Sequence, residues 1–328
     1  MLDLSLACGV YDRTRALHEG RVAVEGCRLT FPSFPIEEMF TRAFRDLEFD
    51  VTELSLSNYM RQVAAGTNHY SALPIFTSRS FRHSAFYIRT DRGIEKPEDL
   101  KGRLLGVREY TNTAALVARG ILSDEYGVRA QDVRWLVGDV DEVERDTIPV
   151  PELPEGFAVT AAAPGQLLNR MLAAGEIDGL LAYKAPDCFL EGHPQVRRLF
   201  LDWVAAEQAY YRKTGIFPIM HPVGARKALL DAHPWLAGAL FAAFGKAKAL
   251  AYKDMANQQA LKTSLPWLVG EWERTVALMG ANFWTYGLEA NRAGLENLTR
   301  YAVEQGMMTR QLRPEELFHP SSHALAEA

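Results

Sequence analysis

Apolar and polar residues alternate over residues 2–7 (LDLSLA), the period of a half-buried strand, and Cys8-Gly9 closes it. Residues 28–31 predict a second short strand. Pro35 then opens a helix over 36–47, with Met39, Phe40, Phe44 and Leu47 on one face. Residues 49–56 (FDVTELSL) return to period two, which puts Glu53, Ser55 and Ser57 on one face of a strand. An apolar run at 85–88 and another at 103–107 predict two more strands. The second feeds a helix that starts at 111–113 and keeps helical spacing to Leu122.

Further on, residues 140–165 are acidic and proline-rich without helical periodicity, and predict an irregular excursion. Residues 176–183 (EIDGLLAY) echo 48–55 (EFDVTELS): a helix closes, an acidic turn follows, and an apolar strand delivers a polar residue. The echo predicts two lobes built on one β-α-β plan. Residues 216–221 form a second apolar crossing after WVAAEQAYY, from 228 to 307 the pattern is helical, and 311–328 read as a closing turn and a frayed end. The expected architecture is α/β, two-lobed, each lobe a mixed sheet flanked by helices, with a helical C-terminal segment. Lobe one takes residues 1–88 plus 208–328 and lobe two takes 89–207. Two crossings, near 84–90 and 205–222, make a two-stranded hinge beside a ligand cleft.

Composition narrows what such a cleft holds. The chain has 328 residues, 48% hydrophobic and 23% charged, enough for two core-bearing lobes, and its composition is not that of a disordered chain. Its net charge of −5 comes from 36 basic and 41 acidic residues mixed along the sequence, so neither nucleic acid nor an anionic membrane is expected as a partner. Any anion must be held by local arginines. Cys8, Cys27 and Cys188 show no metal-ligand spacing and are expected as reduced thiols. The chain opens directly on a strand without a leader pattern, and no run is long enough to span a bilayer, so a cytoplasmic location is expected.

Carboxyl ends of strands are where open α/β sheets bind ligands. Arg13 follows the first strand, Ser55 and Ser57 the third, and Tyr183 the strand of the echo; each is a substrate-binding candidate, with an Asp12 ion pair for Arg13 and a helix cap for Ser57 as structural alternatives. The densest polar stretch is Ser78-Arg79-Ser80-Phe81-Arg82-His83. Paired guanidinium forks suit a dicarboxylate, against the alternative of a solvated basic turn. His221 ends the second crossing. The helix start at 111–113 offers free N–H groups to a carboxylate or phosphate. No Walker loop, GxSxG elbow, HExxH or GxGxxG occurs, so nucleotide, serine-hydrolase and zincin chemistry have no support and no organic cofactor is expected.

FDVTELSLSNY (49–59), ALPIFTSRSFRHSAFYIRTDRGI (72–94), PEDLKGRLLGVREYTNTAA (97–115), ARGILSDEYGV (118–128), AEQAYYRKTGIFPIMH (206–221) and ALMGANFWTYGLEANR (277–292) together resemble the 4,5-dihydroxyphthalate decarboxylase family. That family is a cytoplasmic branch of the type 2 periplasmic-binding-protein fold. The resemblance implies removal of one carboxylate from a small aromatic dicarboxylate, 4,5-dihydroxyphthalate, giving 3,4-dihydroxybenzoate and carbon dioxide. Each carboxylate lies para to a hydroxyl, so ionising that phenol pushes electrons to the carbon that loses CO2; the site needs a base, an acid and carboxylate-orienting cations. On this basis His83, His221 and Glu109 are the catalytic candidates. Arg79 and Arg82 orient carboxylates, and Tyr110 and Thr113 accompany Glu109 at the hydroxyl end, unless Glu109 is only an acid at a helix start. His83, His221 and Glu53 could instead ligate a divalent metal on the catechol oxygens. A homo-oligomer is expected. The rivals are a non-catalytic cytoplasmic solute-binding protein for an aromatic acid and a thiamin-precursor (pyrimidine) binding or synthesis protein.

Overall fold

A computed structural model describes residues 1–144 and 149–327. In chain order the first elements are β1 (Leu2–Ala7), α1 (Asp12–His18), β2 (Cys27–Thr30), α2 (Ile36–Thr41), β3 (Val51–Glu53), α3 (Leu56–Ala65) and β4 (Tyr70–Arg79). Next come β5 (Phe86–Arg89), β6 (Leu104–Val107), α4 (Thr113–Tyr126), β7 (Arg134–Val137), β8 (Val159–Ala161), α5 (Leu168–Ala174), β9 (Gly179–Leu181), α6 (Asp187–Leu190), β10 (Val196–Arg198) and α7 (Trp203–Thr214). The chain closes with β11 (Ile219–Arg226), α8 (Lys227–Ala232), α9 (Trp235–Met255), α10 (Leu268–Met279) and α11 (Arg292–Glu304).

These elements form two compact units. Unit one comprises Met1–Ser80, Thr214–Glu296 and Leu312–Ala328; unit two comprises Phe81–Lys213 and Asn297–Gln311. Residues 81–88 therefore go with the second unit, because β5 pairs antiparallel with β9 and β10. Residues 205–214 are helix, and the strand of that crossing starts only at Ile219.

In unit one the strands run in the order β2-β1-β3-β11-β4. β1 pairs parallel with β2 and β3, while β11 runs antiparallel between β3 and β4. The carboxyl ends of β1, β3 and β4 thus share one edge with the amino end of β11. β11 carries Pro222, which lacks an N–H, and its register with β4 shifts on both sides of that residue. A proline inside a sheet needs such a bulge, and bulges re-aim the side chains beside them. Here the neighbour is His221.

β3 is three residues long, and Ser55 is already the N-cap of α3. The alternation over 49–56 therefore overstated the strand: Ser57 lies in the first helical turn, not on a strand face shared with Glu53. The predicted helix over 36–47 gives way after Thr41 to a π-helical turn, Arg42–Asp46, closed by Leu47 at φ 51°. The C-terminal stretch is not frayed. Leu312, Leu317 and Phe318 are buried, Phe318 bridges Ala72, and Lys248 Nζ donates to Glu327 at 2.7 Å.

In unit two the order is β10-β5-β9-β6-β7-β8, with β6 to β9 parallel. β3 and β9, the strands of the sequence echo, each lie parallel against the first parallel strand of their sheet, β1 and β6. The proline-rich stretch contributes β8, an ordered edge strand that its composition hid; its residues 145–148 fall outside the described residues. Asn112 caps α4 by accepting from the Ala115 N–H at 2.7 Å, and Gly127 ends it in the left-handed region.

Candidate active site

The shared edge of unit one holds a buried carboxylate and a histidine. Glu53, at the end of β3, is 0% exposed and accepts three hydrogen bonds: from Gly9 N–H at 3.0 Å, Tyr11 O–H at 2.9 Å and His221 Nδ1 at 2.7 Å. Burial alone would raise its pKa. The His221 hydrogen bond and charge, with the Gly9 and Tyr11 donors, outweigh that and hold the carboxyl below its ordinary 4.5. An ionised carboxylate only accepts, so Nδ1 carries a proton, and Nε2 is the nitrogen that can act as a base. Phe40 meets the ring edge-on at 4.9 Å and fixes its plane.

The residues after β1 complete this edge. A Cβ on Gly9 would fall 2.4 Å from the Tyr11 ring, so only glycine lets the phenol fold back to Glu53. Burial first, then the Glu53 charge, raise the Tyr11 pKa and keep it a donor. Arg13 lies 3.9 Å over Trp284 and 4.3 Å over Tyr11. Its Nε donates to Thr77 O at 2.8 Å, Nη2 to the same oxygen, and Nη1 to Asp12 Oδ1 at 3.0 Å. Of the five donors of a guanidinium, these contacts use three. The Asp12 pair foreseen from sequence is present, and the fork keeps capacity for a carboxylate.

The other candidates of unit one have different surroundings. Arg79 is buried, with Nη1 donating to Phe217 O at 2.7 Å and Nη2 to Thr285 O at 2.6 Å and to Asn291 Oδ1. It ties three segments of unit one together. Ser55 and Ser57 are buried at the start of α3.

In unit two, a cavity of about 130 Å³ opens at the carboxyl ends of β6, β7 and β9, lined by Arg108, Asp141, Glu144, Tyr183 and Lys184 among others. Arg108 pairs with Glu144 at 2.5 and 2.8 Å, and Asn112 reaches the Tyr183 hydroxyl at 3.4 Å. Glu109 accepts from Thr111 Oγ1 at 2.8 Å, while Tyr110 is a core residue whose hydroxyl donates to Gln305 O at 3.3 Å. Thr113 is buried in the first turn of α4.

His83 is buried between Phe200 and Tyr210, at centroid distances of 5.2 and 5.7 Å, and among the described residues neither ring nitrogen has a hydrogen-bond partner. Burial pushes its pKa down to about 4, so it is neutral. Arg82 Nε is likewise buried with no partner among the described residues, and burial brings this guanidinium down to about 10. Beside them Glu207 of α7 accepts from Ser84 N–H at 3.4 Å, and burial pushes its carboxyl up to about 7. Among the described residues no group of three or more His, Cys, Asp or Glu side chains is placed to hold a metal ion, and both Glu53 oxygens and His221 Nδ1 are already engaged.

No protein-family model matches the chain. It is, however, 44% identical over 321 residues to a 4,5-dihydroxyphthalate decarboxylase of Comamonas testosteroni, an alignment that covers 98% of this chain and 97% of that one. The chain belongs to the 4,5-dihydroxyphthalate decarboxylase family. A second 4,5-dihydroxyphthalate decarboxylase, from Pseudomonas putida, is 44% identical over 211 residues, covering 64% of this chain and 82% of that one. The fold of this family member matches that of periplasmic sulfonate-binding proteins SsuA. The protein from Methylobacillus flagellatus KT aligns at TM-score 0.56 and 15% identity over 98% of this chain and 92% of that one. The Escherichia coli aliphatic sulphonate binding protein aligns at TM-score 0.54 and 13% identity over 97% and 96%. No helix among the described residues is long and apolar enough to cross a membrane.

Sequence reasoning named Glu53 only as a metal ligand and missed Tyr11, Arg108 and Glu207 in this decarboxylase-family chain. Arg108 was within reach, because it follows β6 as Arg13 follows β1. Glu207 carries no such signal: it lies 123 positions from the Ser84 amide it binds.

Proposed function

We propose that the chain is a carboxy-lyase that converts 4,5-dihydroxyphthalate to 3,4-dihydroxybenzoate and CO2, with His221 and Glu53 as its proton-transfer pair. The observation that carries this reading is a histidine oriented by a buried, ionised carboxylate at the carboxyl edge of a sheet, in a chain 44% identical end to end to a decarboxylase of that name.

His221 Nε2 accepts the proton of the hydroxyl para to the departing carboxylate, and Glu53 stabilises the imidazolium that results. The phenolate drives electron density to the carbon bearing the carboxylate, a solvent-derived proton adds there, and CO2 leaves as aromaticity returns. The imidazolium then hands its proton back to the phenolate. Net, ArCO2⁻ plus one proton gives ArH plus CO2, and the histidine ends as it began. Arg13 supplies a cation for a carboxylate on unit one. Unit two, taken by itself, offers Arg82 and Arg108 as cations for a carboxylate and Tyr183 as a hydroxyl donor.

Three free thiols suit a reducing compartment, and the cytoplasm is the proposed location. The test is turnover by His221→Ala and His221→Gln. Both should lose more than a hundredfold in kcat while melting like the parent, and unchanged turnover would remove His221 from the mechanism.

A further inference from the structure

Arg119 presents an electrostatic problem that the reaction does not absorb. It lies in the middle of α4, 1% exposed, with its guanidinium 3.8 Å over the Tyr110 ring. Nε donates to Gln305 Oε1 at 2.7 Å and Nη2 to Tyr110 O at 2.6 Å. Both acceptors are neutral, and Nη1 is buried without a hydrogen-bond partner among the described residues. A buried charge with no counter-charge costs several kcal/mol, which is why buried arginines are normally paired.

The same arginine lines a cavity of about 410 Å³ in unit two, together with Ser123, Asp124, Arg129, Gln131, Arg300 and Glu304. The other charged groups there are bonded to one another. Arg300 binds Asp124 at 2.6 Å and Glu304 at 3.0 Å, and Arg129 binds Asp132 at 2.9 Å. Arg300 thus serves two carboxylates, and among the described residues none is bonded to Arg119. Burial lowers its pKa only to about 10, so it stays protonated at neutral pH. Ser123 follows Arg119 by four positions on α4, so both face the same side of the helix.

We infer that this cavity is a binding site for a small oxyanion, a carboxylate or a phosphate, whose charge neutralises Arg119 and whose remaining oxygens can accept from Ser123. The volume suits a fragment-sized molecule. The site lies within unit two, lined by residues of α4 and α11 and the turn after α4, and shares no lining residue with the edge cavity of Arg108 and Tyr183.

The test is thermal unfolding of the full chain at fixed pH and ionic strength, with chloride replaced stepwise by inorganic phosphate in one series and by acetate in another. A saturable rise of a few degrees in Tm is expected in at least one series; which series responds tells phosphate from carboxylate. Ser123→Glu places a carboxylate one turn from Arg119. It should raise Tm in chloride, abolish the anion response and leave kcat/KM within about twofold. Arg119→Met, which keeps the bulk without the charge, should also lose the response and covers the case in which the glutamate variant folds poorly. No saturable shift up to tens of millimolar in either series, or shifts of equal size in the parent and both variants, would overturn the inference.

Discussion

Exchanging Glu53 for glutamine isolates the charge that orients His221. The carboxylate accepts three hydrogen bonds in a site with no solvent exposure. Glutamine offers one acceptor oxygen and one NH2 in nearly the same volume. With its oxygen toward Gly9 N–H, its NH2 faces the Tyr11 hydroxyl, which can accept, and His221 Nδ1, which accepts only if the ring proton moves to Nε2. That arrangement satisfies every group and disables the base. Each charge-assisted bond that becomes neutral loses about 1 kcal/mol, and the release of a buried charge returns an amount of similar size, so net stability should move by no more than about 2 kcal/mol. Holding the wrong tautomer should lower kcat on the order of 10³-fold, about 4 kcal/mol of barrier. Tyr11→Phe removes only one donor from Glu53 and should cost less than about tenfold. Initial rates of 3,4-dihydroxybenzoate formation, read beside a circular-dichroism melt, separate the two effects. A folded Glu53→Gln enzyme within fivefold of the parent would refute the role assigned to the pair.

The other expectations are more local. His83 and Glu207 push the pH dependence of unfolding in opposite directions. His83, near 4 when folded against 6.5, takes up a proton first in the unfolded chain, so its contribution to stability falls as pH drops from 6.5 toward 4. Glu207, near 7 when folded against 4.5, contributes most below 4.5, and that contribution is lost as pH rises through 7. At about 1.4 kcal/mol per tenfold change in proton affinity, each is bounded near 3 kcal/mol. His83→Phe should flatten the acid limb and Glu207→Gln the decline toward 7 in urea titrations at several pH values; parallel shifts at every pH would contradict both. Arg13→Lys keeps the charge without the fork and should raise KM about tenfold with kcat nearly unchanged, whereas an equal fall in kcat would place Arg13 in the chemical step. Glu327→Ala leaves the buried Lys248 ammonium without its carboxylate and should lower Tm by several degrees at unchanged kcat/KM, and an unaltered melt would mean the C-terminal tether is not stabilising.

What could be read from the sequence followed from local periodicity. β1 matches its predicted span, and the fold class and the strand-end position of Arg13 came from the same reasoning. Long-range pairing stayed hidden. His221 and Glu53 were both named, but the bond between them spans 168 positions and depends on β11 lying antiparallel beside β3. Arg79 and Arg82 look equivalent in the string SRSFRH, yet Arg79 is held by two carbonyls and Asn291, while Arg82 lies 6.0 Å over the Tyr183 ring. Residue type cannot show which guanidinium the fold consumes. The strand over 49–56 is shorter than its alternation because alternation runs straight on into the cap of α3, and the C-terminal stretch reads as frayed because its buried hydrophobic side chains, Leu312, Leu317 and Phe318, are too few to set a period.

The most direct measurement is CO2 release from 4,5-dihydroxyphthalate by the purified chain, with phthalate and 4-hydroxyphthalate alongside, each with and without a chelator. Turnover of 4,5-dihydroxyphthalate, slower turnover of 4-hydroxyphthalate, none of phthalate, and no effect of chelator are the predicted results. Turnover of phthalate at a comparable rate would contradict the para-hydroxyl mechanism, loss of activity to chelator would move His221 from proton transfer to metal ligation, and no CO2 from any substrate would contradict the assignment as a decarboxylase.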